Sequence, residues 1–195
     1  IGYSHPDKNA STAWVHTLGL RNRIDRCFFS GKSNIGVVLS VNFSVNQPNY
    51  HQIDHNYFGP RSYHGLNGAE IIRIGDSTQS SQVSRTAVTH NLFEGCSGEA
   101  EIITNKSGGN YFRSNTFRKC QGALTLRHGN RSVVEGNFFL GEGEKNTGGV
   151  RVIGEGHRIW NNYFCGLTGS GARAALSIHN GIPNSPVGLY HQVKD

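Results

Sequence analysis

Short alternating stretches of apolar and polar residues recur along this chain, and most end in a small residue followed by an aromatic pair or an apolar-aromatic pair. These tags are Cys27-Phe28-Phe29, Asn56-Tyr57-Phe58, Asn91-Leu92-Phe93, Asn115-Thr116-Phe117, Asn137-Phe138-Phe139 and Asn162-Tyr163-Phe164. Their first residues are separated by 29, 35, 24, 22 and 25 positions. Upstream stretches such as Gln52-Ile53-Asp54-His55 and Val133-Val134-Glu135-Gly136 carry the period of two of a half-buried strand. A second strand signal follows within several repeats, as in Glu70–Gly75, Ala123–Leu126, Gly149–Ile153 and Ala175–Ile178.

A repeat of this length with two or three short strands predicts an all-β fold, a single-stranded parallel β-helix in which one repeat makes one coil. Each strand then pairs with its equivalent about 4.8 Å away. The tag phenylalanines are expected to stack inside the cylinder. The asparagines are expected at a turn, where amides bond from coil to coil and left-handed backbone is tolerated. Leucine-rich repeats share the period but not the consensus. The two longer spacings place loops at residues 42–51 and 59–68, both rich in Asn, Pro, Ser, Tyr and Gly. With no internal boundary visible, residues 1–195 read as one domain. Ile1 in place of methionine, and a strand signal running out at residues 188–193, read as a chain cut at both ends, the central part of a larger catalytic domain.

Composition supports this outline. The chain is 35% hydrophobic with 26 glycines, too polar for a helical bundle. A net charge of +6 favours a polyanionic partner, yet no run of five or six basic residues supports a nucleic-acid arm. No apolar run is long enough to span a membrane. Cys96 and Cys120 each follow their tag phenylalanine by three residues and should be stacked neighbours, within disulfide range but read as two buried thiols. Cys27 and Cys165 read as core fillers.

Candidate chemistry centres on residues 99–127. Glu99 and Glu101 alternate on a predicted strand, so both carboxylates project from one face about 7 Å apart. Alone this is also the pattern of a solvated charged strand. The coil period changes the picture: Lys106 and Arg127 are 21 residues apart, Arg151 follows by 24, and Asn67 precedes Glu99 by 32. All then fall on neighbouring coils of one lateral face. Oxygen ligands from Asn67, Glu99 and Glu101 suit Ca2+, which takes six to eight oxygens, leaving room for water and a substrate carboxylate. Such a site beside a lysine and an arginine points to elimination on a uronic acid. Lys106 would take the C5 proton as base, and Arg127 would stabilise the oxygen leaving C4. His128 would point away from Arg127 on a regular strand. It is retained as a substrate contact, together with Arg151 and the loop residues Tyr63 and His64. His51, His55 and His90 read as structural, and Arg73 with Asp76 as a strand-end ion pair or part of the metal surroundings.

The segments Asn67–Ser77, Glu99–Ser107, Leu126–Asn130 and Asn180–Pro186 together resemble polysaccharide lyase family 6, which comprises alginate lyases and chondroitinase B. The resemblance covers essentially the whole chain. It implies a right-handed parallel β-helix and calcium-assisted β-elimination on an acidic polysaccharide, alginate foremost, by a secreted or periplasmic lyase. Lys106 would match the family base, Arg127 the acid, Asn67, Glu99 and Glu101 the calcium ligands, and Arg151 a substrate-binding arginine. A dermatan sulfate or chondroitin lyase, a non-catalytic polysaccharide-binding β-helix and a glycoside hydrolase are the alternatives. The last needs a pair of acids about the bond, which Glu-x-Glu with a downstream lysine fits less well.

Overall fold

The computed structural model describes residues 4–43, 47–65, 67–80 and 82–179. Six coils follow one another in these residues. The first holds β1 (Val15–Thr17), β2 (Arg23–Asp25) and β3 (Phe28–Phe29), and the second β4 (Leu39–Val41), β5 (Gln52–Asp54) and β6 (Tyr57–Phe58). The third holds β7 (Ile72–Ile74), β8 (Ala87–Thr89) and β9 (Leu92–Glu94), and the fourth β10 (Glu101–Lys106), β11 (Tyr111–Arg113) and β12 (Thr116–Arg118). The fifth holds β13 (Ala123–His128), β14 (Val133–Glu135) and β15 (Phe138–Leu140), and the sixth β16 (Val150–Val152), β17 (Arg158–Trp160) and β18 (Tyr163–Cys165). A further strand, β19 (Leu176–Ile178), pairs with β16. First strands join only first strands, and likewise second and third, giving three parallel sheets of seven, six and six strands. The expected parallel β-helix is therefore observed. Among the described residues no helix is long and apolar enough to cross a membrane.

Two ladders run the length of the cylinder. The rings of Phe29, Phe58, Phe93, Phe117, Phe139 and Phe164 stack in succession, with centroids 4.7 to 5.1 Å apart. The second is made by Asn56, Asn91, Asn115, Asn137 and Asn162. Each Oδ1 from Asn91 onward accepts both the backbone N–H and the side-chain amide of the asparagine one coil earlier, at 2.9 to 3.1 Å. Left-handed backbone falls one residue before the tag, at His55, His90, Ser114, Gly136 and Asn161. The turn is completed by that preceding residue, which leaves the asparagine side chain directed inward along the stack.

The described residues of 42–51 and 59–68 lie outside the strands, where the longer spacings placed loops, and Arg61 forms a bridge to Cys96. Cys96 and Cys120 are buried free thiols, and burial first, then the neighbouring Cys120 thiol, pushes the Cys96 thiol well up. Cys27 packs against the core, but Cys165 is exposed, because it sits on β18 at the edge of the third sheet. The strand signal at residues 188–193 and the motif at 180–186 lie outside the described residues.

Candidate active site

The outer face of the seven-stranded sheet carries the candidate residues. Inward columns such as Leu39–Ile72–Ile103–Leu124–Val150 fill the core. The alternate column, Ser40–Arg73–Thr104–Thr125–Arg151, therefore points out. The alternation breaks around the acids. Glu99 lies in a bend before β10, and the register shifts between Glu101 and Ile103. The two carboxylates are thus not placed by strand alternation as expected. A bulge at Ile102 buries both isoleucines and leaves Glu101 outside.

Glu101 is the hub. Its Oε2 accepts from the Thr104 hydroxyl at 2.6 Å, and its Oε1 lies 3.0 Å from an Arg127 guanidinium nitrogen and 3.5 Å from one of Arg151. Three coils thus meet at one carboxylate only 6% exposed. Glu99 turns its Oε1 to the backbone N–H groups of Gly68 and Ala69, both at 3.1 Å. Close approach there requires glycine at 98, since a Cβ would stand 2.2 Å from the Ala69 carbonyl oxygen.

Lys106 closes β10, half-buried, and no ion pair or hydrogen bond engages its ammonium among the described residues. A second register shift pairs it with His128, so Arg127 is the extra residue on the neighbouring strand. The backbone after Lys106 is fixed by Asn105, which points into the core. Its Nδ2 donates to the Ser107 carbonyl at 2.9 Å, and its Oδ1 accepts from Asn110 at 2.6 Å. Asn67 is exposed, adjacent to the Gly68 amide that binds Glu99. His128 is buried at 2% exposure. Tyr63 is exposed in a groove with Lys119 and Glu144, at the corner where the chain enters the first sheet. The His64 backbone donates to Gly98 at 2.8 Å, while its ring faces the Lys8 carbonyl. Among the described residues, no hydrogen bond or ion pair joins Tyr63 or the His64 ring to the Glu101 cluster.

Sequence reasoning missed Glu70, 3% exposed. Ala69-Glu70-Ile71-Ile72 repeats as Ala100-Glu101-Ile102-Ile103, and Ile72 pairs with Ile103, so Glu70 sits one coil from Glu101 in equivalent register. The repeated tetrapeptide was the signal. Glu70 Oε2 is buried and, among the described residues, meets no donor except the Glu99 carboxyl. Beneath it the buried Arg61 donates to the carbonyls of Glu70, Asn34 and Gly36 at 2.8 to 2.9 Å, and burial lowers this guanidinium to about 10. Burial, reinforced by the charges of Glu70 and Glu101, pushes the Glu99 carboxyl up to about 8.

Among the described residues, no three His, Cys, Asp or Glu side chains form a ready-made metal centre. The donor set nevertheless fits a hard cation. Two buried carboxyls meet here, Glu70 with no other donor than Glu99, and Glu99 held neutral by burial and by neighbouring negative charge; a positive ion between them relieves both. Asn67, Glu70, Glu99 and Glu101 are the residues that would hold it.

A family model described as Chondroitinase B matches residues 1–195. No curated protein matches. Among solved structures, the polysaccharide lyase family 6 (PL6) alginate lyase AlyGC superposes with a TM-score of 0.95 at 48% identity, over 98% of this chain and 27% of its own. A mannuronic acid specific family 6 lyase from human gut microbiota gives 0.88 at 40%, over 96% of this chain and 45% of its own. A PL6 alginate lyase in complex with a trisaccharide gives 0.75 at 29%, over 93% and 37%. The chain thus spans less than half the length of each of these relatives. With the family model matching throughout and the same coils recurring in these lyases, the chain belongs to polysaccharide lyase family 6, the family of chondroitinase B.

Proposed function

We propose that this chain carries the catalytic face of a lyase that cleaves the 1,4-linkage of an acidic uronate polysaccharide, alginate foremost, by β-elimination. The observation that carries the reading is the Glu101 hub, which fixes Arg127 and Arg151 beside the strand that ends in Lys106. Lys106 Nζ takes the C5 proton, the electron pair forms the C4–C5 double bond, and the C4–O bond breaks. Arg127 is held by Glu101 and keeps its proton, so it stabilises the departing oxygen by charge. Arg151, on the next coil, binds substrate carboxylate or hydroxyl. Held by Asn67, Glu70, Glu99 and Glu101, a calcium ion would supply neutralisation of the carboxylate next to the acidic C5–H. A polymeric substrate would be met outside the cytoplasm, so a secreted or periplasmic location is part of this proposal. Alginate lyases among the relatives favour alginate, and the family description brings dermatan sulfate in as the second substrate to test. The ultraviolet absorbance of the 4,5-unsaturated uronate, followed on each polymer with and without chelator, is the assay. Absorbance should rise on alginate and stop on chelation. No rise on either polymer would overturn the lyase reading, and chelator-insensitive turnover would remove the calcium role.

A further inference from the structure

We infer that the corner joining the first and second sheets is a separate groove that binds a linear polyuronate along the helix axis. The ligand class rests on the lyase reading, whereas the residues are distinct from the Glu101 face. One residue per coil at this corner has left-handed backbone: Arg21, Tyr50, Arg85, Gly109, Arg131 and Gly156, with φ between 52° and 71°. Backbone bonds stack these turns. Tyr50 N–H donates to Ser84 at 3.1 Å, Gly109 to Asn130 at 2.9 Å and Arg131 to Glu155 at 3.1 Å. Exposed arginines therefore recur on every second coil, about 9.6 Å apart at the usual strand spacing. A 1,4-linked pyranose is about one coil spacing long, so alternate carboxylates of a uronate chain recur at a matching interval.

Charge and shape point the same way. Arg23, Arg26, Arg113 and Arg118 all pair with carboxylates. Among the described residues, Arg21, Arg85 and Arg131 have no such pair. Arg21 and Arg85 instead lie over the Tyr50 ring at 5.1 and 5.9 Å, which orders their guanidinium planes without neutralising them. A cavity of about 290 Å³ lined by Arg21, Tyr50, Arg85 and Tyr111 adjoins one of about 450 Å³ lined by Gln82, Arg85, Tyr111, Asn130 and Arg131. Shared Arg85 and Tyr111 make them one trough across five coils. Asn130, whose side chain accepts from the Glu155 backbone N–H at 3.0 Å and donates to the Glu155 carboxylate at 3.4 Å, closes the end. Arginine is not required by the turn, since glycine occupies the same place at 109 and 156.

The test is a triple variant, Arg21→Gln, Arg85→Gln and Arg131→Gln, compared with the parent for binding polyalginate and for turnover of polymer and of trisaccharide. Polymer binding should weaken roughly tenfold at low salt, with KM for polymer raised while kcat and trisaccharide turnover are kept. A second variant, Arg85→Gly with Arg131→Gly, relieves the left-handed backbone and should lose affinity in the same sense without loss of fold. Unchanged polymer affinity overturns the groove, as does an equal loss of trisaccharide turnover. Parent binding to sulfated dextran as tight as to polyuronate of equal charge density also overturns it. Arginine-dependent binding of polyuronate by a parent that turns over none supports the groove and removes the lyase reading instead.

Discussion

Glu101 and Glu70 occupy equivalent positions on adjacent coils, yet their surroundings differ. Glu101 receives a threonine hydroxyl and two guanidinium groups, and Glu70 keeps a buried oxygen that only the protonated Glu99 carboxyl meets. A buried carboxylate oxygen left dry is costly unless a proton or cation meets it. Glu70→Gln should therefore weaken calcium binding by about 10- to 100-fold, the usual effect of losing a residue that supports a metal site. Isothermal titration would measure this, and unchanged affinity would remove Glu70 from the site. Lys106→Ala should leave calcium affinity intact and lower turnover by about a hundred- to ten-thousand-fold, the worth of a positioned base. Retained turnover would require a different base.

Each strand of the cylinder is only two to six residues long, too short to be stable alone, so stability lies in the ladders between coils. Asn115 shows how. Its amide donates to Val88 and Asn137, while its Oδ1 accepts two bonds from Asn91. Asn115→Ala should destabilise by about 1–3 kcal/mol for each buried partner left unsatisfied. Phe117→Ala, which interrupts the ring stack between Phe93 and Phe139, should cost about 3–5 kcal/mol. Urea unfolding midpoints would compare the two. A loss under 1 kcal/mol at either would mean that its ladder does not hold neighbouring coils together. The tags exposed these ladders in the sequence because the side chains repeat at coil spacing.

For the whole molecule, the acid cluster couples stability to pH. Glu99 titrates near 8 in the folded chain against 4.5 for an ordinary glutamate. Between those values the native state holds a proton that the unfolded chain has released, so Glu99 lowers stability as pH rises through this window. Below it both states are protonated, and above it both are ionised. Metal-free parent and Glu99→Gln should therefore differ in the slope of Tm against pH, the parent falling more steeply. Calcium should raise the parent's Tm by a growing amount across the same window, since the cation replaces the proton. Parallel slopes would remove Glu99 as the titrating group.

Coil number, the phenylalanine and asparagine ladders and the lateral proximity of Lys106, Arg127 and Arg151 follow from residue spacing, because a solenoid converts sequence period into spatial stacking. Other features required the tertiary structure. The bulge at Ile102, the register shift that sets Lys106 opposite His128, and the placement of Glu99 in a bend all depart from strict alternation. Such departures arise where the chain must bury Ile102 and Ile103 together while leaving Glu101 outside. Glu70 was legible only through a repeated tetrapeptide. That its carboxyl meets Glu99 was decided by the packing of adjacent coils, which no spacing records.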